Sequence, residues 1–183
     1  MKIFSTIPRS DVVLIEDPNA KNIADLLQSA AKDYAILTYA NLRGADLHDT
    51  DLRGIKLKRA DFRKADLCNA RLCGADLDGA DFREADLGHA DLTNADLSNA
   101  DLSGTYLRGA KLIHAGTRSD GYEFYAHMRG RRLWILAGCR YFTLEDARKH
   151  WQETRGGTQL GDESRALLDN AERLAQIRGW IES

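Results

Sequence analysis

Proline is scarce in this 183-residue chain and stops early, Pro8 and Pro18 being the only two. Every backbone N–H after Pro18 is therefore available to a hydrogen-bonded ladder. Cysteine is equally thin: Cys68 and Cys73 lie close together, Cys139 is remote, and their spacing fits no metal motif. An odd set of this kind suits reduced thiols. Long apolar runs are missing too, stretches such as VVLI at 12–15 and LWILA at 133–137 being short, which excludes a membrane-spanning helix. The start MKIFSTIPRS shows no signal peptide, so a cytoplasmic location is expected. Nor is there a bulk excess of charge, the net value being −2. With 43% hydrophobic residues the chain has core enough to fold alone, as one compact unit or two closely joined ones.

What is abundant is a five-residue rhythm. From Ala35 to His114 the sequence divides into sixteen consecutive blocks with Leu or Phe at the centre, thirteen of them carrying Ala two places earlier. A period of five fits neither ordinary element. On an α-helix the central residues would step by about 140° and spiral round every side, and on a flat strand they would change face with each block. If each block turns the chain by a quarter, four blocks close a coil of twenty residues and every central side chain points inward. A parallel β-helix of four coils follows, roughly 19 Å tall at a strand spacing of about 4.8 Å. Adding twenty then reads off columns: Leu42, Phe62, Phe82 and Leu102 share one, so the two Phe rings are expected to stack. The last place of the block is Gly or Asn in nine of sixteen cases, as a type II turn requires. Blocks ending in Arg59, Lys64 or Glu84 are expected to turn differently.

These A(D/N)LXX blocks resemble the pentapeptide repeat family. The resemblance implies a right-handed, quadrilateral β-helix, and the fold class expected is mainly β: a four-coil parallel solenoid with an N-terminal helical cap and a small α/β C-terminal domain. The blocks depart from the pattern at Thr50, Ile55 and Thr105 in the small-residue place, and at Ile36, Lys56, Arg71, Tyr106 and Lys111 in the Asp/Asn place. Some members of that family protect DNA gyrase by binding it in place of DNA, so the resemblance also implies DNA mimicry. The stretch AGCRYFTLEDARKHW is similar to tails of phage and prophage pentapeptide repeat proteins.

The flanks divide the chain into 1–34, 35–114 and 115–183. A solenoid has open ends that must be covered. Val12–Glu16 reads as a strand, and Asp17-Pro18 offers a cap and first position for a helix to Asp33, with Ile23, Leu26, Leu27, Ala30 and Tyr34 on one face over the first coil. After the repeats, Tyr122–Met128 and Arg132–Ala137 read as a hairpin around Gly130. Thr143-Leu-Glu-Asp146 resembles a capping box opening a helix with Leu144, Ala147 and Trp151 on one face. A second helix, Asp162–Arg178, carries Leu167, Leu168, Ala171, Leu174 and Ala175, and the domain is expected to pack on the final coil.

Charge is polarised along the repeats. Residues 35–74 hold eight basic and five acidic residues, and 75–104 hold one basic and eight acidic. The acidic candidates for partner binding are Asp76, Asp78, Asp81, Glu84, Asp86, Asp91, Asp96 and Asp101, with Asp76 below Asp96 and Asp81 below Asp101. Such ladders imitate phosphates, which carry about one charge per 1.7 Å of duplex axis. The plainer reading is that Asp before the central Leu serves solubility and corner hydrogen bonds. The basic candidates are the column Arg43, Arg63, Arg83 and the hairpin turn Arg129, Arg131, Arg132, backed by Trp134 and Tyr141.

Neither a cofactor nor a metal is expected. His48 and Cys68 share a column with His89 and Cys73 close by, but nothing orients the rings. Cys139 with His150 lacks a third catalytic member, and RGGTQLGD at 155–162 lacks the Lys of a phosphate loop and reads as a flexible turn. The function expected is a non-enzymatic protein-interaction module, a phage-type DNA mimic that binds a DNA-handling enzyme through its acidic coils. The alternatives are a scaffold that self-assembles or dimerises through the C-terminal domain and, second, direct nucleic-acid binding through the basic turn.

Overall fold

In the repeat region, backbone hydrogen bonds join residues about twenty positions apart. In the computed structural model, which describes residues 2–4, 13–16, 21–32, 36–137 and 140–182, the Leu37 N–H donates to the Lys56 carbonyl at 2.9 Å, Leu57 to Asp76 at 2.8 Å and Leu77 to Asp96 at 2.9 Å. Return bonds run from the Asp61 N–H to the Ala40 carbonyl and from Asp81 to Ala60, each 2.9 Å. Parallel bridges pair Ile36 with Lys56, Lys56 with Asp76 and Asp76 with Asp96. The repeats form a parallel β-helix solenoid, and its register is twenty residues.

Burial follows the sequence rhythm. Leu47, Leu67 and Leu87 are fully buried, and Phe62 lies on Phe82 with ring centroids 4.8 Å apart and planes 3° from parallel. The small place tolerates larger residues where a hydroxyl finds a carbonyl. Thr105 Oγ1 donates to the carbonyls of Leu102 (2.6 Å) and Phe82 (3.0 Å), and Thr50 is buried with its hydroxyl 3.3 Å from the His48 carbonyl. Ile55 is buried outright.

Within each block the N–H of the next small residue closes on the central carbonyl, as from Ala40 to Leu37 at 3.1 Å. The block's last residue then has positive φ, as the second central residue of a type II turn does. The expectation that some blocks turn differently is corrected here. Arg59, Lys64 and Glu84 take φ of 55°, 60° and 61°, beside 64° at Gly44 and 58° at Asn69. The ladder holds them there: the Arg59 N–H reaches the Asp78 carbonyl at 2.8 Å and that of Lys64 the Arg83 carbonyl at 3.1 Å. Uniform winding overrides a left-handed conformation that L-residues resist by about 1 kcal/mol or more.

The chain divides into two compact units, Met1–Lys111 and Leu112–Ser183. Before the repeats the first unit has an antiparallel pair, β1 (Lys2–Phe4) and β2 (Val13–Glu16), with Ile3 opposite Ile15. The helix α1 (Ile23–Lys32) lies against both strands and buries Leu26, Leu27 and Ala30. The Asp17-Pro18 cap and Tyr34 fall outside the described residues. The helix begins behind Asn22, whose side-chain oxygen accepts the Asp25 N–H at 2.8 Å.

The second unit is an antiparallel sheet in the order β3 (Ile113–Thr117), β4 (Glu123–Arg129), β5 (Arg132–Ala137) and β6 (Arg140–Thr143), with two helices. The expected hairpin is its central pair, turning at Gly130 (φ +62°) between Arg129 and Arg132. Strands β3 and β6 are additional. Helix α2 (Leu144–Arg155) starts at the capping box: Thr143 Oγ1 accepts the Asp146 N–H at 3.1 Å and donates to its carboxylate at 2.7 Å. Phe124, Ile135, Ala147, Trp151, Leu168 and Ala171 meet in the core of this unit.

Helix α3 (Gln159–Ile177) begins three residues before the expected Asp162. The RGGTQLGD stretch is not a loose turn but a cap, with Thr158 Oγ1 accepting the Gly161 N–H at 3.1 Å. A Cβ on Gly161 would fall 2.1 Å from the Arg155 carbonyl oxygen, a contact that backbone cannot relieve cheaply.

Gly161→Ala is expected to cost about 2 kcal/mol of stability in the second unit, measured by denaturation followed through the tryptophans, all three of which (Trp134, Trp151 and Trp180) lie there. Lys64→Gly is expected to gain up to about 1 kcal/mol, followed by circular dichroism, because it releases a strained turn and gives up only an exposed pair with Glu84 at 3.4 Å.

Candidate functional site

The ladder fixes where each charged side chain stands. Six of the eight acidic candidates fall into four bridge columns: Asp76 and Asp96 follow Lys56, Asp81 and Asp101 follow Asp61, Asp86 follows Asp66, and Asp91 follows Arg71; Asp78 and Glu84 stand outside them. The stacking expected of Asp76 with Asp96 and of Asp81 with Asp101 is present. The eight do not, however, share one column.

Most of these aspartates first serve the backbone. Asp81 Oδ1 accepts the Arg83 N–H at 3.1 Å, Asp86 that of Gly88 at 2.8 Å, Asp91 that of Thr93, and Asp96 and Asp101 those of Ser98 and Ser103, the last three at 3.0 Å. Asn41 does the same for Arg43 at 3.3 Å, so the turn needs a side-chain oxygen and not a charge.

Many are then neutralised. Arg83 grips Asp81 with two nitrogens, at 2.9 and 2.6 Å, and comes within 3.5 Å of Asp101. Lys58 lies 3.5 Å from Asp76 and 3.6 Å from Asp78, which also accepts from Asn99 at 2.7 Å. Lys64 pairs with Glu84 and Lys111 with Asp91. The basic column is bound up likewise. Arg63 holds Asp61 bidentately and its guanidinium keeps that carboxyl below the usual range, whereas Arg43 makes no ion pair among the described residues.

The carboxylates left over stack elsewhere. Asp46, Asp66 and Asp86 form one column, and neither Asp66 nor Asp86 meets a cation within ion-pair distance among the described residues. Charge counted by halves of the repeat hides this column, because Asp46 and Asp66 belong to the basic half. Adding twenty to Asp46 finds it.

Of the metal-type residues, the fold gathers Asp46, His48 and Asp66, whose ligand atoms lie within 4.8 Å of one another. All three are exposed, and His48 Nδ1 already bonds Asp46 Oδ1 at 2.5 Å, a contact that raises the imidazole pKa and lowers that of the carboxyl. An ion pair accounts for the grouping. Cys68 and Cys73 are free thiols that partial burial and neighbouring aspartates push up, the reverse of an activated nucleophile. Cys139 lies outside the described residues.

At the hairpin tip, the Arg129 guanidinium sits over Trp134 at 5.4 Å, and Trp134 stacks on Tyr141 at 4.8 Å. Arg131 and Arg132 are exposed beside them.

Five-residue units, a buried Leu or Phe in every block but that of half-buried Leu107, and a twenty-residue ladder define a repeat solenoid of the β-helix class. The chain belongs to the pentapeptide repeat family, whose model for pentapeptide repeats matches residues 35–74, 55–94 and 75–112. Proteins of this family are generally non-catalytic structural or interaction proteins. Similar solved structures include HetL from the cyanobacterium Nostoc sp. strain PCC 7120, a protein involved in heterocyst differentiation regulation, at 40% identity over 40% of this chain and 37% of HetL (TM-score 0.31). A second Nostoc pentapeptide repeat protein is 32% identical over 46% of this chain and 74% of its own (TM-score 0.38). One from the Arabidopsis thaliana thylakoid lumen is 26% identical over 70% of this chain and 90% of its own (TM-score 0.26). The chain thus spans little more than a third of HetL. No curated protein matches the sequence. Among the described residues no helix is long and apolar enough to cross a membrane.

Burial works to raise the Asp91 carboxyl, but hydrogen bonds from Lys111 and Thr93 overcome it and hold the pKa at about 2. Because the folded value is depressed, the stabilisation is present above the unfolded pKa of about 3.9 and is lost as pH falls through about 2. Asp91→Asn, which keeps the turn acceptor, is expected to cost on the order of 1 kcal/mol at pH 7 and nothing below pH 2, measured by urea denaturation across that range.

Proposed function

We propose that this chain is a non-enzymatic protein-interaction module of the cytoplasm, whose right-handed, four-coil solenoid docks an acidic surface on the DNA site of a DNA-handling enzyme. Helix α1 shields the first coil from end-to-end pairing, and residues 115–183 act as a separate domain.

The observation that carries this reading is the column Asp46, Asp66, Asp86, in which two successive carboxylates have no compensating cation among the described residues. It offers about one carboxylate per 4.8 Å. A nucleic-acid strand carries one phosphate per roughly 3.4 Å. One column alone is too sparse, so recognition draws on the adjacent column as well, through the half-exposed Asp101. The ladder holds these side chains in place, so little entropy is lost when a basic partner binds. The family resemblance supports the same direction, since gyrase-protecting members act at a DNA site.

A second reading has one observation in its favour. The Arg129–Trp134–Tyr141 stack beside Arg131 and Arg132 is a surface on which a nucleic-acid base and phosphate fit.

The test is an affinity pull-down from a host lysate at two salt concentrations, comparing the chain with an Asp66→Asn, Asp86→Asn, Asp101→Asn triple variant. Asn preserves the turn oxygen, as Asn41 does, so the solenoid's circular dichroism should not change. A DNA-handling enzyme is expected with the parent chain, lost at high salt and reduced about tenfold in recovery with the variant. Equal recovery with the variant rejects the acidic surface, and recovery of nucleic acid favours the hairpin tip.

A further inference from the structure

The C-terminal unit contains a cavity of about 300 Å³ unrelated to the solenoid surface. Its walls come from three elements. The β3–β4 turn gives Arg118 and Tyr122, the first residue of β6 gives Arg140, and the later turns of α2 give His150, Trp151 and Arg155. Among the described residues no carboxylate lines it.

The three guanidiniums are not equivalent. Arg118 is almost fully buried and already neutral in effect: it grips Asp120 with two nitrogens at 2.8 and 2.6 Å and donates a third bond to Ser164 Oγ at 3.0 Å. Its role is to brace the wall, with the Tyr122 ring 4.8 Å beneath it. Arg140 instead spends a donor on an uncharged acceptor, its Nη1 lying 2.7 Å from His150 Nε2. That bond requires the imidazole nitrogen to be unprotonated. Burial, and then the Arg140 charge, push the His150 pKa down in agreement. Among the described residues neither Arg140 nor Arg155 has a carboxylate within ion-pair distance.

Elsewhere Arg53, Arg63, Arg83 and Arg148 each hold a carboxylate. Arg140 and Arg155, without one among the described residues, face a single concavity. The C-terminal end of α2 supplies about half a negative charge to this region, which offsets only a fraction of one guanidinium. A positive excess remains, in a recess where water screens it less than on an open surface.

The volume decides the ligand's size. At about 30 Å³ for each water, 300 Å³ is far more room than a bare oxyanion fills, and it lies at the small end of organic-ligand pockets. Trp151 supplies an aromatic wall beside the charges. We propose that this cavity binds a small phosphate ester, its phosphate held by Arg140 and Arg155 beside neutral His150 and its organic part against Trp151. Guanidinium groups suit this task because their paired N–H donors match the spacing of phosphate oxygens.

The test follows the indole N–H resonances of the full-length chain by NMR, with that of Trp151 assigned through Trp151→Phe. The probes are inorganic phosphate and phenyl phosphate, each against sodium chloride of matched ionic strength. The Trp151 signal is expected to shift saturably with both phosphates and not with chloride, and phenyl phosphate should bind the more tightly. Arg140→Gln and Arg155→Gln should each weaken binding by about tenfold while leaving the spectral dispersion of the unit intact. Arg173→Gln, exposed on α3 and outside the cavity wall, should leave it unchanged. A shift that chloride reproduces, or one that survives both cavity substitutions, overturns the proposal. If either Gln variant loses its fold, the chloride comparison and the order of the two phosphates on the parent chain decide.

Discussion

The first unit depends on a single constraint, the hydrogen bonds that tie each coil to the next. They run at 2.7–3.3 Å through the repeats, and their direction sets every residue above the one twenty places later. Buried leucines and the stacked Phe62 and Phe82 fill the interior this creates. The same constraint is strong enough to hold Tyr39, Asp49, Arg59, Lys64, Glu84 and His89 at positive φ, where each is strained on its own. Local preference yields because a coil with a different corner would lose its ladder partners on both sides.

A surface built this way is rigid in position but not automatically charged in effect. Asp81 lies in a carboxylate column and yet is enclosed by Arg63 and Arg83, while Asp86 is capped by a backbone N–H and meets no cation among the described residues. The acidity of the second half of the repeat is thus partly internal bookkeeping between coils. What reaches a partner is the remainder, concentrated in one column and its neighbour.

Much of the fold was legible because its signals are periodic. The Phe62–Phe82 contact, the burial of Leu47, Leu67 and Leu87, and the Thr143 capping box all follow from spacing alone. Strands β3 and β6 were not, since Ile113–Thr117 continues the last repeat without a break and Arg140–Thr143 is only four residues beside a helix cap. The start of α3 was hidden by Gly161, which looks like a loop residue and is there because the Arg155 carbonyl leaves no space for a Cβ. The site was less legible than the fold. Ion pairing depends on side-chain reach between coils, and the guanidinium-lined cavity assembles from a turn, a strand and a helix that are far apart in sequence.

The turn at Asn41 has a wider meaning. Because its carboxamide does what a carboxylate does at the equivalent place in other blocks, each such position can gain or lose a unit of charge by one substitution without disturbing the winding. Electrostatic potential and shape are inherited separately in such a chain. Lineages carrying this scaffold are free to drift in what they attract while keeping the same architecture, and a new recognition preference is only a few neutral exchanges away.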